Sequence, residues 1–214
     1  MLMQGQVGQP SSVSLAAGTT PTARFGQLGD AIVTELHAPR YEGAYRKNRF
    51  GGAMQAVLAT ATIAGLSTSI TGTSVLANPN GSSVNLVLET FGVGFVLAPA
   101  APLAFGLATG YSASALSGTL TSLTPKSKFL GSGINPVGQL YCSAAITLPV
   151  APTVDVVLGQ LEQGAVTVSN SNVGLYDIKG EIILPPGAFV VFWTSAVLVA
   201  SAHIASWTWE EVPV

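Results

Sequence analysis

Charge is what this chain of 214 residues has least of. It holds 8 Lys and Arg and 10 Asp and Glu, so charged residues make up only 8% of it, against roughly 25% in an ordinary soluble domain. Hydrophobic residues make up 48% and the mean hydropathy is +0.51. A folded monomer of 21.7 kDa exposes roughly 9,000 Å², which leaves about one charged side chain per 500 Å² of surface. Such a surface favours burial against partner subunits.

Other scarcities exclude chemistry. The single cysteine, Cys142, rules out an intrachain disulfide framework. His37 and His203 are the only histidines; with one cysteine they do not supply the three or four ligands of a metal site. Neither has a flanking pattern that pairs it with a nucleophile and an orienting group. His203, in an apolar stretch, is expected to be hydrogen-bonded in a core or interface, and His37 to lie at the surface. No Gly-x-Ser-x-Gly and no phosphate-cradling loop occurs, and Gly92-Val93-Gly94 fails as a dinucleotide fingerprint because Leu97 stands at the third glycine position. On a strand, the adjacent Glu210 and Glu211 point to opposite faces. Asp155, Glu162, Asp177 and Glu181 read as solvated groups at strand ends. No enzyme and no cofactor is expected.

Partners are narrowed in the same way. A net charge of −2 gives no field for nucleic acid. The start has neither a basic nor an apolar signal-peptide region, so no secretory signal is expected. Ala188–Trp209 is uncharged and long enough to span a bilayer. Its Thr, Ser and His interruptions, its β-branched and aromatic first half, and the following Glu210 and Glu211 argue against a membrane helix.

What is present is mostly strand and turn. Residues 1 to about 28, rich in Gln, Gly, Ser, Thr and Pro, cannot bury enough surface to fold alone and read as an extended arm or tail. Asp30 to Phe50 gathers seven of the charges, four of them basic, among Tyr41, Tyr45 and Phe50. Together with Arg24 before it, this segment is the candidate interface, for an acidic partner surface or nucleic acid, through Arg24, Arg40, Tyr41, Tyr45, Arg46, Lys47, Arg49 and Phe50; a solvated polar segment is the alternative. From there to Pro125 the only charged residue is Glu89. Ala53–Leu66 has the apolar content of one short helix, weakened by its Thr and Ile positions and by Gly65.

Ser83–Thr90 alternates apolar and polar positions with the period of a half-buried strand, after an Asn80-Gly81 turn. Further strands are expected at Ala31–Leu36, Phe91–Leu97, Leu103–Tyr111, Gln139–Leu148, Thr153–Leu158, Ala165–Ser169, Tyr176–Leu184, Ala188–Val199 and Ile204–Val212. Pro185-Pro186-Gly187 matches a type II turn, and Trp207 and Trp209 share one face as anchors. Many short strands without a helical period predict an all-β fold, an antiparallel β-sandwich or jelly roll. An extended N-terminal arm and charged docking segment over 1–50 would precede the domain at 51–214.

The Glu35–Phe50 stretch, the Asn78-Pro79-Asn80-Gly81 turn before a Val-Asn-Leu-Val-Leu strand, the Leu-Pro-Pro-Gly turn and the Trp-Glu-Glu-Val-Pro ending together resemble tailed-bacteriophage virion proteins of the capsid decoration, cement or head-fibre type. The resemblance runs from about residue 24 to 214. It implies a jelly-roll-like subunit, commonly trimeric, seated on the major capsid protein or on neighbouring virion subunits, with an arm reaching to neighbours. It also implies a virion location, with assembly in the host cytoplasm. Two alternatives stand beside it: a tail or spike module that binds a host-surface glycan through Tyr41, Tyr45 and Tyr111, and a self-assembling capsid shell protein.

Overall fold

In the computed structural model the described residues are 6–7, 24–25, 48–53, 58–61, 66–70, 73–97, 101–143, 145–162, 173–196 and 198–214. The chain divides into two compact units, 1–46 and 47–214. In the first, β1 (Gln6–Val7) pairs in parallel with β2 (Arg24–Phe25). The expected strand at Ala31–Leu36 and His37 lie outside the described residues, as does the expected strand at Ala165–Ser169 of the second unit.

Every regular element described in the second unit is a strand. In order they are β3 (Arg49–Ala53), β4 (Leu58–Ala61), β5 (Ser69–Ile70), β6 (Thr73–Ala77), β7 (Val84–Leu97), β8 (Leu103–Tyr111), β9 (Ser117–Thr119), β10 (Lys126–Ser127), β11 (Gln139–Ser143), β12 (Ala145–Thr147), β13 (Thr153–Leu161), β14 (Val173–Asp177), β15 (Ile183–Leu184), β16 (Ala188–Thr194) and β17 (Leu198–Pro213). The described part of Ala53–Leu66, apart from its end residues, is β4, a strand paired with β17 rather than a helix. The sequence boundary after residue 50 falls inside β3.

The larger sheet runs β10-β3-β17-β7-β14, with β15 also on β7 and β4 on β17; the second runs β11-β6-β16-β8-β13. Their pairings are nested: β3 with β17, β6 with β16, β7 with β14 and β8 with β13, all antiparallel. A long antiparallel ribbon rolled up so that β17 meets β7 and β16 meets β8 is the winding of a jelly roll.

The two sheets face each other across one apolar core. Phe91 lies between Trp207 of its own sheet and Phe192 of the other, with ring centroids 4.5 and 5.5 Å apart. The Trp207 indole N–H donates to Ser74 Oγ across the layer at 3.0 Å, so its one polar atom is satisfied in the core. Both tryptophans are core anchors, as expected.

A bulge keeps β7 amphipathic. Leu86 and Leu88 face the core, and so do Phe91, Val93 and Phe95, although strict alternation would turn the second group outward. The register against β17 shifts between Thr208 and Trp209, which pair with Thr90 and Leu88. Glu89 is therefore the extra residue that restores the phase.

The third sheet, β5-β12-β9, explains the apolar run at β16. Val190 and Phe192 enter the main core, while Phe189 and Val191 pack with Ile146 and Leu148 of the β12 region in a second cluster. A strand covered on both faces reads as a continuous apolar stretch. Ala188–Trp209 thus forms strands of two opposed sheets, and no described helix is long and apolar enough to cross a membrane.

The turns follow their residues. Ala188 N–H donates to Pro185 O at 2.9 Å and Gly187 has φ 89°, the type II geometry that needs glycine at its third position. Asn78, 2% exposed, ties this turn to the one that opens β7. Its Nδ2 donates to Val84 O and Leu184 O, both at 2.8 Å, and its Oδ1 accepts from Ser82 Oγ at 2.6 Å. Its backbone N–H and C=O pair with Ala188 and Gly187.

Candidate functional site

Of the expected interface residues, Arg40, Tyr41, Tyr45, Arg46 and Lys47 lie outside the described residues. Arg24 is in β2; its side chain is not described. Arg49 and Phe50 fall in β3, where alternation sends them to opposite faces. Phe50 is 1% exposed and packs on Trp209 at 6.4 Å, so it belongs to the core of the chain rather than to its surface. Arg49 lies on the outer face of the larger sheet, where it forms an ion pair with Glu89 and stands opposite Glu210 across the ladder. Asn48 Nδ2 donates to Glu210 Oε1 at 2.9 Å. The isolated charge at Glu89 is thus matched within the chain.

Away from that polar group the outer face carries mostly small side chains, with Lys128 lying over Gly51. Rows across β3, β17, β7 and β14 run Gly51-Thr208-Thr90-Asp177 and Ala53-Ser206-Gly92-Leu175. Leu175 is 76% exposed, and Ile204 and Val96 are also exposed.

Glu210 and Glu211 do point to opposite faces. Glu211 turns inward, where Oε1 accepts the Val137 and Gly138 amides at 2.8 Å and the Trp209 indole at 3.2 Å. Converging N–H donors satisfy a buried carboxylate, and this one pins the chain just before β11 onto β17.

His203 is fully buried, with Phe192 at 5.2 Å and Phe95 at 6.4 Å. Among the described residues neither ring nitrogen has a hydrogen-bond partner, which corrects the expectation of a bonded histidine: Phe95 and Phe192 supply aromatic faces, not acceptors. Burial lowers its pKa from 6.5 to about 4. The unfolded chain therefore binds a proton below pH 6.5 that the folded chain refuses down to pH 4. Stability present above pH 6.5 is lost as the pH falls, by roughly 3 kcal/mol at pH 4. We expect His203→Leu to flatten the acid limb of the stability profile between pH 6.5 and 4; an unchanged limb in urea titrations would refute this.

Cys142 is half-buried and packs on the main core, and burial pushes its thiol pKa up, away from the reactive thiolate. Among the described residues no three metal-ligating side chains converge.

A cleft of about 450 Å³ opens where the edges of the two sheets face each other. One wall is the end of β8 and the start of β13, with Thr109, Tyr111 and Asp155; the other is Glu181–Pro185. Asp155 is the extra residue of a bulge, since Val154 and Val156 pair with the consecutive Ala108 and Leu107. It lies within β13, not at the strand end that sequence suggested. The next pair brings the chains so close that a Cβ on Gly106 would collide with the Val156 carbonyl. On the other wall, Lys179 and Gly180, with φ 55° and 78°, make a tight turn that interrupts the edge between β14 and β15. Asp155 and Glu181, distant in sequence, are thereby brought to one cleft; nothing local in the sequence around either residue places them on facing walls.

No protein-family model matches this chain, and neither a curated protein nor a solved structure was found to be similar to it.

Proposed function

We propose that the chain is a virion structural subunit that assembles with copies of itself, as a trimer, and seats on a bacteriophage capsid to reinforce or decorate the shell. The observation that carries the reading is the outer face of the larger sheet. Beyond Gly51, which the Lys128 side chain covers, it carries the small residues Ala53, Gly92 and Ser206 with Leu175, Ile204 and Val96 exposed, and its Arg49 pairs with Glu89. Another copy meets such a face at small desolvation cost. The charge poverty of the whole chain supports the same reading, as does a jelly roll, a fold used in capsids. A cyclic trimer closes through heterologous contacts, so this face would pack on a different patch of the next copy.

Light scattering on a sizing column tests it. A discrete oligomer is expected, three copies of the 21.7 kDa chain, reduced to monomer by Leu175→Asp with Ile204→Asp. A monomeric wild-type protein, or an oligomer indifferent to both changes, would remove the assigned face.

A further inference from the structure

We infer that the cleft between the start of β13 and Glu181–Pro185 is a carbohydrate site, for saccharides that carry no negative charge. A sugar offers two kinds of surface, a ring of hydroxyls that donate hydrogen bonds and a face of C–H groups. The cleft offers the complement of each. Tyr111 is 66% exposed, its ring beside the glycine of the Pro185-Pro186-Gly187 turn, where a Cβ on Gly187 would lie 3.6 Å from Tyr111 Cε2. An exposed aromatic ring presents a flat apolar face on which the C–H face of a sugar can stack. Ile183, also exposed, adds apolar surface on the other wall.

Acceptors come from both walls: Asp155 from the β13 bulge and Glu181 from the interrupted edge. Ionised carboxylates accept from hydroxyls in charge-assisted bonds, shorter and stronger than neutral ones. Thr109 and Thr153 supply hydroxyls that both donate and accept. These side chains make no hydrogen bond to the described residues of the protein, so their capacity is open to a ligand. The volume lies within the roughly 300–1,000 Å³ of small-molecule sites.

The electrostatics select among sugars. Two carboxylates and no Lys or Arg line the cleft, so sialic acids, uronates and phosphorylated sugars meet like charge. Neutral sugars are accepted, and amino sugars gain an ion pair and a cation–π contact with Tyr111. Bulges at strand edges re-aim side chains, and both edges of this sandwich depart from a regular ladder where the cleft opens. The inference is independent of the assembly reading, because the cleft and the outer sheet face share no residue named for either.

A printed array of neutral, amine-bearing, sialylated and uronate glycans, probed with the full chain, identifies the ligand; saturation-transfer NMR with the best glycan measures its affinity. Binding is expected to uncharged or amine-bearing glycans alone. Tyr111→Ala should weaken it roughly tenfold or more, as loss of an anchor does, and Asp155→Asn should weaken it without changing the thermal midpoint. Capture confined to anionic glycans, no capture at all, or variants that bind like the wild type would each overturn the inference. Because Tyr111 is mostly exposed, its replacement leaves the fold intact, which circular dichroism verifies.

Discussion

Asn78→Ala is expected to destabilise the second unit by on the order of 3 kcal/mol. The change removes little volume. It takes the side-chain donor from the Leu184 carbonyl and one of two from the Val84 carbonyl, which keeps that of Ser82 Oγ at 3.0 Å, at a site where Asn78 itself is 2% exposed. An orphaned buried carbonyl costs its desolvation, about 1–3 kcal/mol each. Asn78→Asp makes the test sharper. It conserves shape but sets a carboxylate against the same two carbonyls, so it should be at least as damaging as alanine. Chemical denaturation measures both; a loss below about 1 kcal/mol for either would show that the two turns hold without this link.

The second large effect is at Glu211. Its removal leaves two amides and the Trp209 indole without an acceptor, and Glu211→Ala is expected to cost about 4 kcal/mol. Glu211→Gln keeps an acceptor oxygen but loses the charge, so about half that cost should appear. Hydrogen exchange localises the effect: the Val137 and Gly138 amides should lose protection in the alanine variant before the β7 and β17 amides do. Equal protection in the variant would mean that packing alone holds this segment.

The parts of this fold that were legible in the sequence are those governed by local chemistry. β8 begins and ends where alternation and prolines place it, Leu103 to Tyr111. The Pro185-Pro186-Gly187 turn follows from the φ each residue tolerates. Two tryptophans two residues apart on a strand had to share a face. The unread parts depend on partners distant in sequence. β6 is five residues, all buried, and shows no alternation because the third sheet covers its second face. Ser83–Thr90 and Phe91–Leu97 read as two strands because their apolar phase breaks at Glu89; the structure continues through a bulge. Conversely, Tyr176–Leu184 read as one strand, and the Lys179-Gly180 turn divides it. The same holds for the cleft. Tyr111 was named from sequence as a glycan-facing aromatic, whereas Asp155 and Glu181 were read as scattered solvated carboxylates, since nothing local places them on facing walls.

The central place of β17 bears on how the molecule is made. It is the last of the strands in sequence, yet it lies between β3 and β7 in the larger sheet. While the ribosome is still short of Trp207 and Trp209, β3 and β7 have no strand between them and the main core lacks its largest side chains. The nested pairings also join positions far apart along the chain, the high contact order that slows folding. Nascent chains must therefore wait, with Phe50, Phe91 and Phe95 uncovered, until synthesis has passed Pro213, and this interval is when chaperone capture or premature association competes with the native roll.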